Sequence, residues 1–324
     1  MKKWTLAIAL ICLAAGTAFA DVSNEVVAGF EGDSTNEVTS TSTGTDLNGL
    51  LETSNSLLVA QFTHYFAPLK TDDKPLELRR FYQHPTNLSA GLAFIGSTDK
   101  DSTVPAAISE TEGSGSMLLL GGEYYFPSKT GLFLNLRAGS ETLKETVGGV
   151  AQPEVENEFS ALDLGVRQYV KPGAAMHLRL HSETIESTQS GFKSTTKKNV
   201  TFLGARGVIA DVVGLMLELG GGEQEDESGG ITIKYDLGAV NAEVAGYIGK
   251  QFSIRLALKV ETQDMAEPPA GVEHTITTAR STLAAKYWFS ERLGMELPLY
   301  SETIEKKAAS GFSVASPKML WSEA

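Results

Sequence analysis

Gly122–Lys144 reads GEYYFPSKTGLFLNLRAGSETLK. An aromatic strand end, Tyr124-Tyr125-Phe126, runs into a turn at Pro127–Gly131, and an alternating strand leaves it. Leu132, Leu134, Leu136 and Ala138 take one face; Phe133, Asn135, Arg137 and Gly139 take the other. Successive strand side chains point to opposite sides, so this hairpin has one apolar and one largely polar face.

The same plan recurs four times downstream: Asp163–Glu186, Leu203–Glu223, Glu243–Glu261 and Ala284–Glu305. Each unit is a strand, a short turn and an alternating strand, repeating about every 40 residues. Three units end alike, in Ser140-Glu141-Thr142, Ser182-Glu183-Thr184 and Ser301-Glu302-Thr303. Longer polar connections separate them at Glu145–Glu158, Ser187–Lys198 and Gln263–Val272. The acidic run Glu223, Glu225, Asp226, Glu227 is read as lying between strands. A propeller repeats near this period but needs four strands per blade, whereas each unit here holds two.

Met1–Ala20 reads as a cleaved signal peptide. Lys2 and Lys3 precede the apolar run Leu6–Ala14, and Ala18-Phe19-Ala20 is an A-x-A cleavage site. The only cysteine, Cys12, falls inside it, preceded by Ile11, so neither a disulfide nor a lipid anchor is expected in the mature chain. The chain has 27 Lys+Arg and 40 Asp+Glu. Losing Lys2 and Lys3 leaves 25 bases against 40 acids, or −15. That balance argues against a nucleic-acid partner, whose phosphates call for a basic footprint. No later apolar run is long enough for a transmembrane helix, but a closed barrel crosses a membrane with short alternating strands.

The first third is less regular. Glu25–Glu31 is a short candidate strand, Ser34–Asn55 a Ser/Thr/Asn/Gly-rich loop, and Leu57–Phe66 a strand. Residues 67–86 form an enlarged turn in which Pro68, Pro75 and Pro85 disfavour a central strand; it holds a helical piece or an extra strand pair. Asn87–Ser97 resumes as a strand. At the other end Ser310–Trp321 is a candidate closing strand, interrupted by Pro317. The count is about 14 strands, with 12 or 16 possible, and an even number returns both termini to one side.

Aromatics gather just before the short turns: Tyr65, Phe66, Tyr124, Tyr125, Phe126, Tyr169, Tyr247, Tyr287, Trp288 and Phe289. This level reads as a membrane-interface girdle. Parity then sends Leu162, Leu164, Val166, Met176, Leu178, Leu180, Leu215, Leu217, Leu219, Ile254, Leu256, Leu258, Val260, Leu293, Met295 and Leu297 outward. It sends Asp163, Arg167, Tyr169, His177, Arg179, His181, Glu218, Arg255, Lys259, Glu261 and Glu296 inward. Arg206 is placed inward because a charge facing lipid near midplane costs about 2–4 kcal/mol. Arg137, Arg167, Arg179 and Arg206 form a basic ladder on one wall, opposed by Glu218, Asp236, Glu243, Glu261 and Glu296. Opposed walls of this kind set up a transverse field across a lumen.

Other chemistry is weakly supported. The five histidines lack a metal-site spacing. His181 and Ser182 are adjacent strand residues on opposite faces, which disfavours a hydrolase. Gly220-Gly221-Gly222 and Gly229-Gly230 lack the strand-to-helix setting of a phosphate loop. Neither catalysis, a metal nor a cofactor is expected.

The signal peptide, the paired aromatic strand ends, the repeated SETxE-type ends and the long first turn with PLELRRFYQHP resemble porin-like outer-membrane β-barrels of Gram-negative bacteria. The resemblance covers nearly all of the mature chain. It implies an all-β, antiparallel up-and-down transmembrane barrel in the cell outer membrane, built by the barrel-assembly machinery and set in outer-membrane lipids. It further implies a passive channel for small hydrophilic solutes or ions. A structural or surface-interaction barrel with a blocked lumen is the alternative. A transporter of apolar ligands would need an apolar lumen, and the inward faces read as polar. Oligomeric state is left open.

Overall fold

The computed structural model describes residues 22–39, 49–70, 75–101, 109–266, 274–290 and 293–308. The expected signal peptide and the expected closing strand Ser310–Trp321 lie outside them. The strands are β1 (Val22–Thr39), β2 (Gly49–Leu69), β3 (Asn87–Asp101), β4 (Ser109–Tyr125), β5 (Thr130–Val147), β6 (Val150–Ala151), β7 (Val155–Lys171), β8 (Ala174–Gln189), β9 (Phe192–Ile209), β10 (Val213–Ser228), β11 (Ile231–Ile248), β12 (Phe252–Met265), β13 (His274–Trp288) and β14 (Leu293–Ala308). One helix, α1 (Leu76–Gln83), lies between β2 and β3.

Each long strand pairs antiparallel with its neighbours in sequence, and β1 meets β14, so the sheet closes on itself. Among the described residues thirteen long strands form the wall; the two-residue β6 is a flap on the β5–β7 connection. An odd up-and-down count leaves first and last strands pointing the same way, and β1 and β14 are indeed parallel. Thirteen strands spaced about 4.8 Å and tilted about 40° enclose a cylinder of Cα radius about 13 Å.

The repeat units are real hairpins. At one end, here called proximal, tight turns join β4–β5, β7–β8, β9–β10 and β11–β12. The distal connections are shorter than the polar stretches suggested. Ser187–Lys198 is strand apart from the two-residue turn Ser190–Gly191, and β10–β11 is joined by Gly229–Gly230 alone. Both residues of each turn have positive φ (50° and 83°; 58° and 81°), the conformation whose twist matches a hairpin. Most of the Ser34–Asn55 stretch is likewise strand, in β1 and β2. Glu223, Glu225, Asp226 and Glu227 belong to β10 rather than to a loop. The polar segments extend the wall: alternating Thr, Val and charged residues suit a sheet that is wet on both sides.

The outer face carries Leu132, Leu134, Leu136, Leu162, Leu164, Met176, Leu178, Leu180, Leu203, Leu215, Leu217, Leu219, Ile254, Leu256, Leu258, Leu283, Met295 and Leu297, all exposed. They end on β8 at Ser182, on β5 at Ser140 and on β12 at Thr262. The apolar belt is therefore about 20 Å tall at the strand rise and tilt given above.

Inside, inward-facing rings cover glycines of adjacent strands. Phe133 lies over Gly165, Phe159 over Gly139 and Phe202 over Gly220; a Cβ at any of these glycines would strike the ring. Such pairs fill the space where the wall has no side chain and help to fix register.

Candidate functional site

The candidate site is the lumen, and it has two storeys. The upper one is a belt of charged side chains held by strand register. Arg167, His177, Gly204, Glu218, Asn241, Lys259 and Arg280 occupy one row across seven neighbouring strands. One row distal of Arg179, Asp163 and His181 are also opposite each other.

Within the belt, acids and bases interlock. Asp163 accepts from Arg137 at 3.3 Å and from Arg179 at 3.1 Å, and its Oδ1 is 2.9 Å from His181 Nδ1. Glu218 accepts from Arg179 and from Asn241, each at 2.9 Å, and lies 2.7 Å from His177 Nε2. His177 and Glu218 reach each other across β9 because residue 204 is glycine; a Cβ there would collide with the imidazole and with the Glu218 side chain. The second nitrogen of His181 is 3.2 Å from Glu183. The Arg179 guanidinium lies 4.2 Å from the Phe202 ring centroid. Lys198 bridges to Glu261 at 2.5 Å.

The lower storey is α1, folded into the proximal mouth. Its first amide, Leu76 N–H, donates to the Lys250 carbonyl in the β11–β12 turn at 3.0 Å. Glu77 accepts from Ser253 of β12. Leu78 is packed with Ala245 and Tyr247 of β11, and Phe81 with Tyr169 of β7 and Ala175 of β8. Tyr82 donates to Asp211 in the β9–β10 turn at 2.5 Å. On the opposite side Arg80 pairs with Glu25 of β1 at 2.9 Å and bonds to Thr63 and Tyr65 of β2. The helix ends at His84, in the left-handed conformation (φ 50°), and Pro85 follows. Gln83 clamps Lys70 with two hydrogen bonds to its backbone, 2.7 and 2.8 Å. Phe66 N–H to the Thr86 carbonyl (3.1 Å) closes the base of the insert.

A helix packs about 10 Å from the backbone layer it contacts, so contacts on both sides use about 20 Å of the roughly 26 Å between facing walls. α1 thus spans the mouth from β1 and β2 on one side to β7, β8 and β11 on the other. The His84 ring lies 3.6 Å (centroid to centroid) from Tyr169, tilted by 43°. Its pKa is held below the usual histidine value by burial, and further by Lys129 and Arg167, with Glu123 opposing.

Several sequence expectations need correction. The ten aromatics do not form one girdle. Phe66, Tyr124, Phe126, Tyr287 and Phe289 are 41–66% exposed, whereas Tyr65, Tyr169, Tyr247 and Trp288 are 1–4% exposed and point inward. Tyr125 joins the inward set, bonding to Glu123 at 2.8 Å. The reason is the strand period: adjacent aromatics such as Tyr65-Phe66 and Tyr124-Tyr125 must part to opposite faces.

Asp236 is exposed between inward-facing Tyr235 and Leu237, so it lies on the outer surface, not in the lumen. The basic ladder opposed by an acidic wall is also absent. Arg137 and Arg179 share Asp163, Arg167 pairs with Glu123 at 2.8 Å, and Arg255 pairs with Glu296 and, at 3.8 Å, Glu243. Neighbouring opposite charges lose less by pairing across 3–4 Å than by facing one another across the lumen. Arg206 sits 5.2 Å from the Phe81 ring, serving the helix instead of a ladder. Lys259, Glu261 and Glu296 lie on the inward parity of their strands.

The inner surface is not uniformly polar. Ala93, Met117 and Phe159 form a buried apolar cluster on β3, β4 and β7. Val200, Phe202, Tyr235, Leu237 and Ala239 form another on β9–β11, about half-way round the wall. Sequence reasoning missed Glu25, Glu77, Arg80, Glu123, Glu183, Lys198 and Asn241 as lumen residues. Parity on the founding hairpin would have found Glu123, two residues before the inward Tyr125; Lys198 was hidden by the loop assignment. Among the described residues no group of three or more His, Cys, Asp or Glu could hold a metal ion.

No protein-family model matches this chain, and no curated protein matches it.

Proposed function

We propose that the protein is an outer-membrane β-barrel of a Gram-negative cell that conducts small hydrophilic solutes or ions, with α1 as the constriction at its periplasmic mouth. One observation carries this: the barrel is inside out. Leucines cover the outer face, while Asp163, Arg179, His177 and Glu218 line the inner one. A belt about 20 Å tall around this barrel exposes on the order of 2,000 Å² of largely apolar surface, against a few hundred on soluble monomers. A bilayer turns that surface from a liability into the anchoring face, with outer-membrane lipids as the direct partner. Short turns then mark the periplasmic end, and the polar hairpin extensions stand outside. Insertion by the barrel-assembly machinery follows from the same reading, and the reading assigns no catalytic role.

A second reading has its own support. The seated helix and the interlocked charges also suit a structural or surface-interaction barrel with a closed lumen. Single-channel recording in a planar bilayer separates the two. Discrete current steps from the folded protein support the channel, and the reversal potential in a salt gradient gives its charge preference. A silent protein that still shifts on heating in an unboiled gel supports the closed barrel. Co-migration of boiled and unboiled samples counts against a membrane barrel of either kind.

A further inference from the structure

The apolar belt ends in two rims of opposite charge. On the outer face its distal edge borders exposed carboxylates. Glu158 stands directly opposite Ser140, where the belt ends on β5. Glu223, Asp236 and Asp264 are opposed across β10, β11 and β12, one outward position beyond Thr262, where the belt ends on β12. Lysines of the distal extensions are neutralised locally: Lys144 pairs with Glu154 at 3.2 Å, and Lys193 with Glu186 and Lys234 with Glu225 at 2.7 Å. At the proximal edge the sign reverses. Lys70 follows β2, Lys129 and Lys250 lie in the β4–β5 and β11–β12 turns, and Lys171 ends β7; all four are exposed. Asp211, the acid of the β9–β10 turn, is taken up by Tyr82 of α1. No carboxylate among the described residues pairs with Lys70, Lys129 or Lys171. In a chain of net charge −13 such a basic rim is not a sample of the average composition.

Each of these lysines follows, within four residues, an exposed apolar side chain at the edge of the belt: Phe66 before Lys70, Phe126 before Lys129, Val170 before Lys171 and Ile248 before Lys250. Those apolar residues mark the level where hydrocarbon gives way to headgroups. A lysine just beyond that level can lay its apolar stem along the edge and hold its ammonium at the height of the lipid phosphates.

We propose that the proximal rim is a binding surface for the headgroups of anionic phospholipids in the leaflet at that end of the barrel. This rests on the membrane reading above. Three features select lipid over an acidic protein partner. The lysines are spread round the mouth, at the ends of β2, β4–β5, β7–β8 and β11–β12, whereas a protein would draw on one contiguous patch. Each stands beside an apolar residue of the belt edge, where acyl chains end. The β4–β5, β7–β8 and β11–β12 turns are only two to four residues long, so they hold their lysines at the membrane surface instead of carrying them away from it. Free phosphate would meet the same ammonium groups, but separated point charges give it no enclosing pocket, whereas a headgroup is kept at this level by its own acyl chains. Near an anionic surface each lysine contributes about five-fold in affinity, and less as salt rises.

The test reconstitutes the folded protein in phosphatidylcholine vesicles holding a trace of spin-labelled phosphatidylglycerol or spin-labelled phosphatidylcholine. The motionally restricted lipid at the protein surface should favour phosphatidylglycerol several-fold at low salt. The preference should approach parity in about 1 M salt, where the screening length falls to about 3 Å. Lys70→Gln, Lys129→Gln, Lys171→Gln and Lys250→Gln together should remove most of it, with the heat-dependent gel shift retained. Lys144→Gln, Lys193→Gln and Lys234→Gln together, a comparable loss of charge at the other end, should leave it in place. Four results overturn the proposal. Equal association of the two lipids with the unsubstituted protein would show that the rim does not select anionic headgroups, and a cross-link in cells from Lys129→Cys or Lys171→Cys to a periplasmic protein would then assign it to a protein partner. An undiminished preference in the four-lysine variant would place the lipid contact elsewhere. An equal loss in the distal variant would reduce it to net charge. Loss of the preference in millimolar inorganic phosphate at constant ionic strength would assign the rim to free phosphate. Failure of the membrane reading is distinguishable, because neither lipid would then show a restricted component and the protein would show no heat shift.

Discussion

The charged belt and the plug formed by α1 occupy the same lumen but are held by different physics. The belt is written into the wall: Asp163, Arg179, His177 and Glu218 meet because antiparallel registers bring their backbones onto three successive rows. The plug is held by contacts between residues far apart in sequence, such as Glu77 with Ser253 and Tyr82 with Asp211. Disturbing the belt should therefore cost stability and leave the constriction in place. Disturbing the plug should widen the mouth and leave the barrel standing.

The sharpest way to break this contrast is to replace residues 75–84 with a short Gly/Ser linker. Unit conductance in a planar bilayer should rise several-fold, with the heat-dependent gel shift preserved. An unchanged conductance would mean that the belt, not α1, sets the constriction.

Next in size is Glu218→Gln, which removes the acid from Arg179 and His177 while retaining the shape. In this partly hydrated interior the loss should be about 2–3 kcal/mol, toward the low end for breaking a buried pair. It should appear as a lower temperature for the gel shift, with conductance close to the parent value. Gly204→Ala should act in the same direction through steric clash, by about 1–3 kcal/mol.

Arg80→Ala tests the plug's grip on β1 and β2. It leaves Glu25 without its guanidinium partner and should give flickering openings, at little cost to barrel stability. An unchanged, steady trace would show that the Phe81, Leu78 and Tyr82 contacts hold the helix without it.

The smallest effect is a pH dependence. Burial disfavours the His84 cation, so its folded pKa lies below the ordinary value. Docking of α1 is then unimpaired above about pH 6.5 and weakens as pH falls below it, because the undocked state takes up the proton more readily. Open probability should rise on acidification, and His84→Phe should flatten that response. Retention of the full response in His84→Phe would assign it to the carboxylates instead.

The outcome of the sequence reading divides along the same line. Leu132, Leu134 and Leu136 could be set against Phe133, Asn135 and Arg137 because a strand's period of two is a local property. Residues 67–86 were legible as an insert that proline excludes from the sheet. Legibility failed where polarity stopped reporting the face. Asp236 was taken for a lumen residue because it is charged, but it lies beyond the apolar belt, where the outer wall is polar too. The acidic end of β10 was read as a loop for the same reason. The aromatics were grouped by height without applying the alternation already used for the leucines.

The sequence by itself determined the hairpin repeat, the two faces of the leucine-bearing strand segments and the all-β barrel architecture, since turn chemistry and alternation act over a few residues. Only the tertiary structure decided which charges pair, where α1 sits and how the first and last strands meet. Those depend on register and on contacts across the lumen between residues as distant as Glu77 and Ser253, and no local pattern encodes a distance of that kind.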